Sequence, residues 1–153
     1  MPNPTTPYIQ EIPLAVANGG TGMSANLATT ANQASAFSIT ATGTATAVTN
    51  LTLTITPTVV SNLHFALSCS VKDSAAQAPC FVFVYIDGAP YLRLSTDFST
   101  ANYYVPVSIF GVKLNVTAAA HTVAAYIQQG SEGTMTLEGE VDANLLSAWT
   151  TAV

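Results

Sequence analysis

Leu63-His64-Phe65-Ala66-Leu67-Ser68-Cys69-Ser70-Val71 alternates apolar residues with small or polar ones without a break. A period of two places every apolar side chain on one face of an extended chain, which is the pattern of a half-buried β-strand. The same reading extends in both directions. Upstream, Leu51, Leu53 and Ile55 alternate with Thr52, Thr54 and Thr56; downstream, Leu92 and Leu94 flank Arg93, and Val105, Val107 and Ile109 form another stripe. Val112, Leu114 and Val116 flank Lys113 and Asn115, while Met135, Leu137 and Val141 oppose Thr136, Glu138 and Glu140.

One stretch breaks the alternation. In Cys80-Phe81-Val82-Phe83-Val84-Tyr85-Ile86-Asp87, the side chains of Phe81, Phe83 and Tyr85 face one way and those of Val82, Val84 and Ile86 the other, so both faces require cover. The aromatic face reads as a subunit interface or as an internal strand beneath a long loop. Asp87-Gly88 followed by Pro90 is a hairpin turn, because Gly accepts the positive φ that a tight turn demands. Pro106 inside its stripe marks an edge or a bulge. About eight to ten short strands, with turn signals between them and no helical stripe, describe an all-β, antiparallel sandwich of the jelly-roll type over residues 36–153. Leu145, Leu146 and Trp149 are read as a plug at one end of the sandwich or as part of a subunit contact.

Residues 1–35 are different. Pro2, Pro4, Pro7 and Pro13 impose extended backbone, Gly19, Gly20 and Gly22 permit a sharp bend, and no apolar period appears. This is an extended N-terminal arm, able to reach on the order of 115 Å when fully drawn out. Tyr8, Ile9, Ile12, Leu14 and Val16 give it apolar points with which to dock. The start of the chain lacks a basic segment and an apolar core, so no signal peptide is expected and synthesis is assigned to the cytoplasm, with Cys69 and Cys80 as free thiols.

Composition narrows the function. Charged residues make up 7% of the chain, and 22 Thr take their place. A sparsely charged, 49% hydrophobic chain suits a protein covered by copies of itself or by a partner. Only Lys72, Arg93 and Lys113 are basic against a net charge of −5, too few to neutralise a run of phosphates, so neither nucleic acid nor an anionic membrane is an expected partner.

Little in the sequence supports catalysis, and no catalytic residue, metal site or cofactor is assigned. His64 falls on the polar face of its strand with no acid near it in sequence, and His121 begins a strand where it is expected to make one local hydrogen bond. Glu138, Glu140 and Asp142 share a face and read as a solvated acidic edge ahead of a calcium site. Asp87, Asp97 and Glu132 are the carboxylates from which a glycosidase pair would have to come. The glycines at 19, 20 and 22 lack the Lys and the helix of a phosphate loop.

Pro13-Leu14-Ala15-Val16-Ala17-Asn18-Gly19-Gly20-Thr21-Gly22 resembles the GGTG segment of tailed-bacteriophage appendage proteins. Phe83 to Gly88, Val105-Pro106-Val107-Ser108 and Ala119 to Val123 are similar in pattern to trimeric jelly-roll modules of phage decoration proteins and fibre heads, an architecture shared with tumour-necrosis-factor and C1q heads. The resemblance implies a virion protein, assembled in the host cytoplasm, whose partners are its own copies in a homotrimer and the major capsid protein. A short arm joined directly to a head points to a capsid decoration or cement protein. In that reading Tyr8, Ile9, Ile12, Leu14, Val16, Gly19, Gly20 and Gly22 bind the capsid, and Phe81, Phe83, Tyr85 and Trp149 form the trimer interface. The alternative is the receptor-binding head of a short tail or head fibre, with Tyr91, Tyr103, Tyr104 and Tyr126 as a ligand surface for host glycans.

Overall fold

A computed structural model describes residues 28–40, 43–139 and 144–153. They form ten strands: β1 (Ala28–Asn32), β2 (Phe37–Ile39), β3 (Thr46–Ile55), β4 (Ser61–Asp73), β5 (Pro79–Ile86), β6 (Ala89–Asp97), β7 (Val105–Val116), β8 (His121–Gln129), β9 (Met135–Leu137) and β10 (Leu145–Ala152). The first sheet runs β1-β10-β4, with β7 along β4 and the short β9 and β2 added at the end of β4; the second runs β3-β8-β5-β6. Every pairing is antiparallel.

Apart from β2 and β9, the pairings are nested. β1 pairs with β10, β3 with β8, β4 with β7, and β5 with β6. One long hairpin has been rolled so that successive pairs fall in alternate sheets, which is jelly-roll topology. The innermost turn carries the Asp87-Gly88 signal. Asp87 and Gly88 have φ of 55° and 77°, the left-handed pair that a two-residue hairpin needs, and Ile86 faces Ala89 across it.

The alternation read from the sequence becomes the core. Leu63, Phe65, Leu67, Cys69 and Val71 of β4 face Cys80, Val82, Val84 and Ile86 of β5 and Val123, Ala125 and Ile127 of β8, all buried. Each fully buried Leu, Ile, Val or Phe contributes about 1.5–3 kcal/mol. Pro106 of β7 lies opposite Ser70, whose N–H and C=O bond on the far side of β4 to Asn144 and Glu138, so the missing N–H of Pro106 leaves no ladder bond unmade.

Two expectations need correction. The sheet includes Ala28–Asn32, ahead of the boundary expected at residue 36: Ala-Thr-Thr-Ala-Asn has no apolar alternation, and β1 joins by backbone pairing to β10. The C-terminal segment is no plug. Leu145–Ala152 is a full strand between β1 and β4, with Leu146, Ala148 and Thr150 turned inward. Ala and Thr at two of those inward positions hid the period.

Candidate binding surfaces

The two sheets present outer faces of different chemistry. On the second sheet, Phe81, Phe83 and Tyr85 of β5 point outward and are joined by Tyr126 of β8, which pairs with Phe83. Tyr85 and Tyr126 stack with centroids 3.9 Å apart and planes at 19°, and Phe83 meets Tyr85 edge-on at 5.9 Å. The Arg93 guanidinium lies 5.0 Å above the Phe81 ring. These side chains cover one another: Phe83 is 8% exposed beneath its neighbours, while Phe81, Tyr85 and Tyr126 remain half-buried. The aromatic face thus obtains part of its cover from within the chain.

Trp149 lies on the other side of the molecule, on the outer face of the first sheet. It stacks on His64 with centroids 5.3 Å apart and planes at 7°, and His64 Nε2 lies 3.0 Å from Thr151 Oγ1. Trp149 and the Phe81, Phe83 and Tyr85 row therefore lie on opposite outer faces of one protomer. Around Trp149 the ladder rows read Val112-His64-Trp149, Phe110-Ala66-Ser147 and Ser108-Ser68-Leu145, none with a charged residue. Phe110 is 79% exposed, Leu114 63% and Leu145 42%.

A second apolar surface follows the flank where β6 and β7 leave the sandwich open. Leu92 and Leu94 pair with the inward-facing Val84 and Val82, yet they are exposed, since among the described residues no strand continues the sheet beyond β6. Tyr91 partly closes this flank: its hydroxyl donates to the Val112 carbonyl at 2.7 Å, and its ring meets Phe65 edge-on at 5.7 Å. The four tyrosines read as one ligand surface are therefore dispersed. Tyr126 belongs to the aromatic face and Tyr91 to the flank. Tyr103 and Tyr104 lie in the loop before β7, with the Lys72 ammonium 4.7 Å from the Tyr104 ring.

The structure also assembles two polar clusters invisible in the sequence. At the turn end of the sandwich, Asp87 Oδ2 lies 2.9 Å from His121 Nδ1 and accepts from Lys113 Nζ at 3.2 Å, while Oδ1 accepts from the Thr122 N–H at 3.0 Å. His121 Nε2 lies 3.1 Å from the Thr117 carbonyl. The Thr117 hydroxyl lies 3.5 Å from the same Nε2, so the ring is held from both of its nitrogens. Burial pushes the Asp87 carboxyl up, but bonds from His121, Thr122 and Lys113 together outweigh it and hold the group below the usual carboxylate range. This clasp ties the β5–β6 turn to β7 and β8. His121 thus makes more than the single local bond expected of it.

At the opposite end Asp73 is fully buried. It accepts from the Ala75 N–H at 2.7 Å and from the Cys80 thiol at 3.2 Å, and Cys80 also lies 2.9 Å from Gln129 Oε1. Burial, followed by the neighbouring Asp73, pushes the Cys80 thiol far up; burial alone pushes Cys69 up to about 12. Both cysteines are free and buried: Cys69 packs in the core, and Cys80 adds its thiol bonds to the Asp73 cluster. Glu138 follows β9, whereas Glu140 and Asp142 lie outside the described residues. Asp87 and Asp97 sit at opposite ends of β6, and Glu132 lies in the β8–β9 loop. No group of three or more His, Cys, Asp or Glu side chains comes together among the described residues. The arm residues Tyr8, Ile9, Ile12, Leu14, Val16, Gly19, Gly20 and Gly22 also lie outside them.

Comparison with solved structures supplies the parallel for this topology. The Eiger TNF of S. frugiperda is similar over 84% of this chain and 92% of its own, with a TM-score of 0.50 and 10% sequence identity. The fold is a TNF-like jelly roll. At that identity the likeness is one of fold. Weaker similarities join this jelly roll to the VP2 subviral particle of infectious bursal disease virus (TM-score 0.46, 12% identity, 86% of this chain and 39% of that one) and to the sugar-binding EclA C-terminal domain (TM-score 0.39, 16% identity, 80% and 79%). No protein-family model matches the chain, and none of the curated proteins does.

Proposed function

We propose that this chain is a non-catalytic structural virion protein, a capsid decoration or cement protein that sits as a homotrimer on the phage head and is tied to the major capsid protein by its N-terminal arm. The observation that carries this reading is the presence of two unlike apolar surfaces on one protomer. One is the uncharged outer face of the first sheet with Trp149, Phe110 and Val112, and the other is the β6–β7 flank with Leu92 and Leu94. A surface that meets its own copy makes a two-fold dimer. Two unlike surfaces instead meet head to tail, and such a contact closes into a ring when the rotation between copies permits. Three closing copies match the trimeric jelly-roll modules that the sequence resembles.

Exposed Phe110 and Leu114 would be a liability on a free monomer, and their burial between copies supplies the drive for association. The absence of charge from the three central rows means that this contact depends on shape and apolar area, with little steering by charge. The arm then adds affinity for the shell, multiplied by three copies at each site. Removal of residues 2–22 should leave a soluble trimer that no longer binds capsids lacking the protein. Full capsid binding by that truncated trimer removes the cement reading.

A further inference from the structure

In the three rows around Trp149, His64 is the one ionisable side chain. The other outward positions along this part of β4 carry Asn62, Ala66, Ser68 and Ser70, whereas His64 sets an imidazole between Val112 of β7 and Trp149 of β10. Its ring lies flat on the indole, and Nε2 is 3.0 Å from Thr151 Oγ1, a hydroxyl that serves this nitrogen in either tautomer. Nδ1 has no hydrogen-bond partner among the described residues, and the half-buried ring leaves it to water.

Charge is distant from this imidazole. Val112 and Phe110 face it from β7 and Trp149 and Thr151 from β10, while Thr30 of β1 stands beyond Ser147. The next charged residue at an outward position of β4 is Lys72, about 26 Å along the strand, with its ammonium over the Tyr104 ring. Lys113 lies opposite the inward-facing Leu63 and is paired with Asp87. The flank that covers this face in the assembly brings Leu92 and Leu94. Its cations are engaged within their own protomer, Arg93 on the Phe81 ring and Lys113 with Asp87, and Asp97 stands at the far end of β6.

We propose that His64 makes the assembly sensitive to pH, so that copies hold together while its ring is neutral and separate when the ring takes up a proton. This inference rests on the assembly reading above. In the free protomer water solvates a proton on Nδ1, and the Trp149 face accepts a cation as readily as a neutral ring. In the contact the same N–H would meet an uncharged apolar surface with neither water nor acceptor, the costly case of a buried unpaired charge. Protons therefore bind the free protomer more tightly, and by linkage acid favours separation. Imidazole changes charge between about pH 5 and pH 8, a range in which carboxylates stay ionised. Asp87 is held low, so the clasp beside the flank stays closed over that range. Each proton taken up weakens association by at most about tenfold per pH unit, and three copies by about a thousandfold.

The test is sedimentation equilibrium of the full chain at about pH 8 and about pH 5.5, with far-UV circular dichroism at both, for the wild type, His64→Phe and His64→Gln. Phe keeps a ring on Trp149 and Gln keeps a polar group near Thr151, so either variant suffices if the other fails to fold. Both retain His121, which titrates over the same range in the clasp. The wild-type trimer constant should fall by about a hundredfold or more on acidification with the sheet signal unchanged, and both variants should stay within about threefold. An equal fall in the variants, a trimer indifferent to pH, or acid dissociation that accompanies loss of sheet signal would overturn the inference and leave the assembly standing. Tighter association in acid would also overturn it, by showing that a neighbour's carboxylate faces His64. A wild type that is monomeric at both pH values would remove the assembly reading and this inference with it.

Discussion

Gly111 lies in the middle of β7, where a residue with a side chain would normally be favoured, and the structure gives the reason for its presence. A Cβ at this position would come within 2.7 Å of Phe65 Cζ and 2.8 Å of Leu92 Cδ1, against an ordinary carbon–carbon contact of about 3.5–4.0 Å. The end of Leu92 is partly exposed and can move aside. Phe65 is fully buried, pairs with Gly111 across the ladder, and has Tyr91 against its ring, so it cannot. Overpacking of this kind costs about 1–3 kcal/mol. Against it, replacing Gly by Ala restricts the unfolded chain and returns about 0.4–1 kcal/mol. The backbone term loses, and Gly111→Ala should destabilise the protein by about 1–2 kcal/mol. The measurement is urea unfolding at fixed protein concentration, carried through a double-mutant cycle with Phe65→Leu. Leu has no atom at the Cζ position, so in that background Gly111→Ala should be neutral or slightly stabilising, with a coupling of about 1–2 kcal/mol. An equal cost of Gly111→Ala in both backgrounds, or stabilisation in the wild type, would refute the packing argument.

Asp87→Asn tests the clasp. A carboxyl held low in the folded state contributes stability above its unfolded value of about 3.9 and loses it as pH falls through the folded value. The variant should therefore melt below wild type at pH 7, with the two curves converging under strong acid; parallel curves across that range would show that the clasp contributes nothing. Gly133→Ala should be among the most damaging single changes, since its Cβ would fall 2.2 Å from Asp73 Oδ1 at a φ of +99°; an unchanged thermal transition would contradict the buried Asp73 cluster. Cys69 and Cys80 should resist alkylation by iodoacetamide in the folded protein and react fully in denaturant, and rapid labelling of either in the native state would contradict their burial.

The strands that form the core were legible because their inward residues are large and apolar and their outward ones are not, as in Leu63 to Val71. The β5–β6 turn was legible for a local reason, the Asp87-Gly88 pair. What escaped the sequence reading lacked one of these two signals. The β1 strand is small and polar throughout, and β10 fills inward positions with Ala148 and Thr150. Alternation gives the two faces of a strand but not the sheet to which it belongs, so Phe81 and Trp149 were grouped although they lie on opposite sides. The Asp87–His121 clasp joins residues separated by 34 positions, and only the antiparallel pairing of β5 with β8 brings them together.

In the proposed assembly the uncharged face around Trp149 and Phe110 joins copies of this chain into a ring. Sedimentation equilibrium of the full chain and of Phe110→Glu measures it most directly. The wild type should have three times the monomer mass, and the variant, which would have to bury an unpaired carboxylate in the contact, should be a folded monomer. A monomeric wild type, or a Phe110→Glu variant that remains trimeric, would contradict it.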